Sequence, residues 1–248
     1  MAYQITKLKI EDHVEKIGLD VRPIIEHKLE ESHLYSLYKD LVDKYPNLFE
    51  SLLKSPSDLQ IRKKMVFPGK GELDVCTLGI TPRGPVFMIP RKLSIVGEET
   101  DIGDILDIAI MCVDIFRKNF PHKTICRVGH VNDYVFTLGT EPSVSFLAER
   151  FTRMTVPQNG ELHIRVNMPT DDYNRVIQLQ PVVKKQPMPN IPEAEDVKAY
   201  GLSVSVDFNN SDMTKSLDND DIRAVIQDSM KYNERGLYDF LNGTFKEE

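Results

Sequence analysis

Apolar residues recur along this chain with two periods, one near 3.6 residues and one of two. Their succession sets the order of elements. Leu34, Leu37, Leu41 and Tyr45 keep helical spacing after Ser32, a side chain suited to an N-cap, with Tyr38 and Val42 widening the stripe. Pro46 stops that helix, and 48–53 reads as a further turn or two. Strands are predicted over 59–67, 73–80 and 85–96, joined by Pro68-Gly69-Lys70-Gly71 and by the tight turn Pro82-Arg83-Gly84. Turns this short pair neighbouring strands antiparallel. Pro90 marks a bend or an edge in the third strand.

Residues 100–119 give the clearest helix. Ile102, Ile105, Ala109, Cys112, Val113 and Phe116 share one face, Thr100 or Asp101 can cap it, and Pro121 stops it. Residues 124–138 then read as one long strand or as a hairpin broken near Asn132-Asp133. A second cycle follows: a helix over 141–153, a strand over 162–168 whose Leu162, Ile164, Val166 and Met168 alternate with His163, Arg165 and Asn167, and the turn Thr170-Asp171-Asp172. A returning strand over 176–183, a proline-rich loop over 184–196, a strand over 202–208 and a helix over 217–242 complete it. The N-terminus is less regular. Tyr3, Ile5, Leu8 and Ile10 suit a short strand over 3–10, whereas 11–31 is charged and broken at Arg22-Pro23.

Short β–β turns favour an α+β fold, mainly an antiparallel sheet with helices packed on it. Two cycles of helix–β–β–β–helix point to an internal pseudo-repeat; no residue-level self-similarity between the halves is visible along the chain, so the repeat rests on element order. The expected organisation is an N-terminal segment 1–31, a first half 32–139 and a second half 140–248, two halves that one domain can hold.

Composition narrows the partners. The 248 residues are 41% hydrophobic and 28% charged, enough to bury a core without disulfides or metals. The net charge of −7 speaks against a chain that coats nucleic acid. Three cysteines, Cys76, Cys112 and Cys126, sit singly in apolar runs with no C-x-x-C, which reads as buried, reduced thiols. With no signal-peptide stretch and no run approaching the ~20 apolar residues of a span, the expected location is the cytoplasm, with no membrane partner.

Motifs for chemistry are sparse. Pro68-Gly69-Lys70-Gly71-Glu72 lacks phosphate-loop spacing and suits a hairpin turn. Six scattered histidines include no H-x-x-x-H, so no metal site or cofactor is expected. Asp218, Asp220 and Asp221 precede a helix and suit capping. No G-x-S-x-G occurs. The most unusual segment runs from Arg127 to Tyr134. If it is a central strand, Arg127, Gly129 and Val131 share one face and Val128, His130 and Asn132 the other, and Gly129 lets something approach the backbone. Arg127, His130 and Asn132 are therefore the candidate ligand-binding residues; no catalytic residue is assigned.

Leu93-Ser94-Ile95, the helix ending in Val113-Asp114-Ile115-Phe116-Arg117, and Ile125-Cys126-Arg127-Val128-Gly129-His130-Val131-Asn132 together resemble a bacterial family of uncharacterised proteins of about this length. Val204-Ser205-Val206-Asp207 before the last helix adds to the likeness. The resemblance implies a bacterial or phage-associated cytoplasmic protein and brings no established activity. Three readings follow, in order: a non-catalytic module binding a protein or small molecule, an enzyme with a noncontiguous site near 127–134, and a homo-oligomeric scaffold that pairs through edge strands and an exposed Tyr232–Phe245 region.

Overall fold

The computed structural model describes residues 9–24, 31–46, 48–54, 59–67, 71–92, 105–139, 143–152, 155–157, 161–186 and 197–242. Its elements are β1 (Lys9–Arg22), α1 (Glu31–Lys44), β2 (Ser51–Lys54), β3 (Leu59–Phe67), β4 (Gly71–Thr81), β5 (Gly84–Lys92), α2 (Ile105–Asn119) and β6 (Thr124–Gly139). There follow α3 (Ser143–Phe151), β7 (Ile164–Pro169), β8 (Tyr173–Gln186), β9 (Val197–Asn210) and α4 (Asn219–Lys231), which continues through a π-helical turn, Tyr232–Gly236, into α5 (Leu237–Leu241).

All nine strands form one sheet in the order β2-β3-β4-β5-β1-β6-β9-β8-β7, and each neighbouring pair is antiparallel. The fold is α+β, as the short turns require. Each half starts on a strand: β1, α1, four strands and α2, then β6, α3, three strands and α4. The leading strands β1 and β6 pair with one another at the centre of the sheet.

Alternation along β6 separates two faces. Val128, His130, Asn132, Tyr134 and Phe136 are buried, while Arg127, Val131, Asp133, Val135 and Thr137 are half-buried. The buried face joins Ile17 and Leu19 of β1, Leu78 and Ile80 of β4, and Leu202, Val204, Val206 and Phe208 of β9. Onto it pack Leu37 and Leu41 of α1, Val113 and Phe116 of α2, Leu147 of α3, Ile222 and Ile226 of α4, and Leu237 and Leu241 of α5, in one continuous cluster. Each such side chain contributes about 1.5–3 kcal/mol by leaving water. The described helices thus lie on one face, and the other carries the polar half of the alternation.

Several expectations change in the structure. The charged stretch after residue 10 is not irregular: β1 runs to Arg22, because Ile17, Leu19 and Val21 alternate onto the core face. Residues predicted as a further helical turn instead form the edge strand β2, which pairs with β3. The hairpin alternative for 124–138 is overturned, since β6 is unbroken through Asn132-Asp133. Of the two expectations for Pro90, the edge is overturned, because β5 is interior, while the bend holds: pairing with β1 shifts register between Val14–Pro90 and His13–Lys92, and pairing with β4 stops at Met88. Residues 184–186 extend β8, while the rest of the predicted loop, the turn at 68–70 and the stretch 93–104 lie outside the described residues.

The three cysteines are buried and unpaired. Burial pushes the Cys112 thiol up to about 12, and that of Cys76 well up as well, so both stay protonated at neutral pH. Asp218 and Asp221 form a reciprocal capping box on α4, each side chain accepting from the other's backbone N–H. No helix among the described residues is long and apolar enough to cross a membrane.

One turn is held to the sheet centre by backbone alone. Gly84 has φ +149°, and the neighbouring Arg83 carbonyl accepts from Val21 N–H at 2.7 Å. A methyl group on Gly84 would sit 2.1 Å from the Leu19 carbonyl oxygen. Gly84→Ala should therefore cost at least about 1–3 kcal/mol, read as a lower urea midpoint; an unchanged midpoint would mean that the turn is not seated as described.

Candidate functional site

Strand β6 carries all three predicted site residues, and its alternation sends them to opposite faces. His130 and Asn132 point into the core, whereas Arg127 lies on the helix-free face. They do not line one pocket, and each face holds its own polar cluster.

On the core face, His130 is 0% and Glu15 3% exposed. His130 Nε2 stands 2.6 Å from Glu15 Oε1. A contact this short is a hydrogen bond between the imidazole nitrogen and the carboxylate oxygen. Asn132 Nδ2 lies 3.3 Å from the same nitrogen, beside that bond rather than within it. The Asn132 Oδ1 accepts from His13 Nε2 at 2.8 Å, and the His13 ring stacks on Tyr134 with centroids 4.3 Å apart. Burial first, and the nearby Glu15 charge second, push the Tyr134 phenol far above its usual range, so it stays neutral. His130 Nδ1 is buried with no hydrogen-bond partner among the described residues. An imidazole beside a carboxylate is the composition of a general acid–base pair. Here it is enclosed by the core, and enclosure makes it first a structural contact between β1 and β6.

On the helix-free face, Gly18 of β1 is paired with Gly129 of β6, so two adjacent strands present bare backbone. The Arg127 guanidinium folds over Gly129: a Cβ there would lie 3.4–3.5 Å from both terminal nitrogens and from Asp207 Oδ1. The predicted close approach to the Gly129 backbone is thus made by the chain's own arginine. Arg127 stands 3.7 Å from Asp20 and 3.6 Å from Asp207, ion-pair distances longer than hydrogen bonds. Asn209 Nδ2 donates to Asp207 Oδ1 at 3.1 Å, and Lys16 pairs with Asp133 farther along the strands. One cation between two carboxylates leaves this cluster with a local charge of about −1.

Two other depressions among the described residues are already engaged. A depression of about 440 Å³ is lined by Arg117, Phe120, Lys123, Leu217 and Asp218 among others. Arg117 donates there to the Leu217 carbonyl and to Asn219, and Lys123 to the carbonyls of Pro23 and Ile24. A second, of about 460 Å³ between α1 and α2, holds Asp40, Asp43, Asp114, Lys44 and Lys118; Lys118 and Asn119 bond Asp40 and hold its carboxyl below its ordinary range. Among the described residues no group of three or more His, Cys, Asp or Glu is placed to hold a metal.

Sequence reasoning missed Glu15, His13, Asp20, Asp207 and Asn210. Carrying the alternation of Ile17, Leu19 and Val21 backwards places Glu15 and His13 on the apolar face, where a charge needs a partner. Asn210 had no such signal. Its amide accepts from Val128 N and donates to the Cys126 carbonyl, filling the ladder where β6 bulges at Cys126.

Removing one partner of a buried pair leaves the other uncompensated. Glu15→Ala should cost about 3–5 kcal/mol in urea unfolding, whereas the apolar double variant Glu15→Leu/His130→Leu should recover most of it. A Glu15→Ala loss below about 1 kcal/mol would show that the pair is solvated rather than sealed. Compared with known families and with curated proteins, the chain matches no family model and no curated protein.

Proposed function

We propose that this protein is a non-catalytic binding module that takes its partner on the helix-free face of the sheet, around Arg127. The posture of that side chain supports the reading: a guanidinium folds over bare backbone at Gly129, within 4 Å of two carboxylates, with its donors not closed into hydrogen bonds with them. A partner group can take those donors while offering its own to Asp20 and Asp207. The local negative balance disfavours phosphates and suits a neutral or cationic protein segment or small molecule, in keeping with no nucleic-acid partner. Unpaired, buried thiols support a reducing, cytoplasmic setting, and the bacterial origin implied by the family resemblance stays part of this proposal.

The contact between Glu15 and His130 favours a second reading, an enzyme whose acid–base pair opens to a substrate. Its requirement is access, which 0% exposure of His130 does not provide in this conformation. Exposed Leu52 and Leu53 on the edge strand β2 favour a third, a scaffold that pairs with a second copy, whereas Tyr232, Leu237, Phe240 and Leu241 of the region expected to be exposed are buried in the core.

A thermal-shift screen against metabolites, nucleotides, basic peptides and divalent cations separates these readings. A ligand at 100 times its Kd stabilises the folded state by about 2.7 kcal/mol. The expected hit is neutral or cationic and is lost in Arg127→Ala, whose own midpoint changes little because its half-buried ion pairs, at 3.6–3.7 Å, are longer than hydrogen bonds and contribute at most about 1 kcal/mol. A hit that persists in Arg127→Ala, or hits confined to polyanions, would contradict the assignment.

A further inference from the structure

The seam between β1 and β6 repeats itself in sequence. A shift of 117 residues carries Lys16 onto Asp133. The same shift carries His13-Val14-Glu15-Lys16-Ile17 onto His130-Val131-Asn132-Asp133-Tyr134, identical at His and Val and placing an apolar or aromatic residue at the fifth position. In the ladder, Glu15 is paired directly with Asn132, so the two equivalent residues face one another. A two-fold axis normal to the sheet through that pair turns β1 onto β6, His13 onto His130 and Lys16 onto Asp133.

Side chains obey the same operation. His13 Nε2 meets the Asn132 oxygen at 2.8 Å, and His130 Nε2 meets a Glu15 oxygen at 2.6 Å; each contact is the image of the other. On the opposite face Lys16 and Asp133, mutual images, pair with each other. The next strands conform too. Glu15, Lys16, Ile17 and Gly18 pair with Ile89, Met88, Phe87 and Val86 of β5, while Asn132, Asp133, Tyr134 and Val135 pair with Val206, Ser205, Val204 and Ser203 of β9. Each β9 residue is the same shift away from its β5 counterpart. Both leading strands also bulge on the N-terminal side of the axis, β1 between Ile10 and Asp12 and β6 at Cys126.

We infer that β1 and β6 are the same docking edge used twice: each half binds a second copy of itself within one chain, and the crossed contacts His13–Asn132 and His130–Glu15 are the two equivalent latches of that interface. An isologous interface brings one residue type against itself at its axis. Two buried carboxylates there would repel, and two amides would take from His130 Nε2 the carboxylate that it meets. Joining the halves in one chain removes that constraint, so the axis holds one acid and one amide.

The test moves the acid to the equivalent position. Glu15→Asn should lower the thermal midpoint by stripping His130 of its acid, and Asn132→Glu should lower it by setting two carboxylates face to face. Equivalence predicts that E15N/N132E, in which the relocated carboxylate meets His13, regains more than half of the summed loss. Less than half regained, or losses that simply add, would overturn the inference. Where a single variant does not fold, a folded double variant counts as recovery. Should E15N/N132E itself not fold, E15N/N132D, with a shorter acid, decides: a folded protein supports equivalence and an unfolded one overturns it.

Discussion

A buried carboxylate needs a partner, and Glu15 sits 3% exposed at the middle of a nine-stranded sheet. Its partner comes from the other half of the chain, 115 residues away, as His130 Nε2 at 2.6 Å. That contact fixes the register of β1 on β6. A slip of β1 by one residue would turn Glu15 out to the open face, bring Lys16 into the core and leave His130 of β6 without its acid. Every other strand is laid outward from this pair, β5 to β2 on one side and β9 to β7 on the other. The helices then close over the face that the register makes apolar.

The same alternation shapes the open face. With even positions of β6 committed to the core, Arg127, Gly129, Val131 and Asp133 must face outward, where bare backbone at Gly129 makes room for the Arg127 guanidinium between Asp20 and Asp207. Core and surface chemistry are thus two readings of one strand. The surface cluster borrows its position from the buried pair, and the binding reading rests on this arrangement rather than on a catalytic motif.

Much of the architecture was legible in the chain because most elements keep one period and end on clear breakers. Pro46, Pro121 and the turn at Pro82-Arg83-Gly84 bound the segments they were expected to bound. Failures occurred where polar residues occupy core positions. β1 was obscured because His13 and Glu15 break its apolar alternation, and they do so because they belong to the central polar contacts. The short β2 failed for another reason: four residues on an edge carry too little periodicity to outweigh the preceding helix. His130 and Asn132 stood out in sequence, but their partners come from β1, and strand pairing over such distances leaves no local trace. The likeness between 13–17 and 130–134 is equally short, and it becomes visible once the ladder sets Glu15 opposite Asn132.

Native-state hydrogen exchange read residue by residue tests most directly whether the β1–β6 seam is the interaction on which the fold depends. The amides of Ile17, Val128 and His130 should exchange only through global unfolding, with the free energy measured by urea denaturation, while those of the edge strands β2 and β7 open earlier. Seam amides that exchange as fast as Leu52 or Arg165, at free energies well below the global value, would contradict the account.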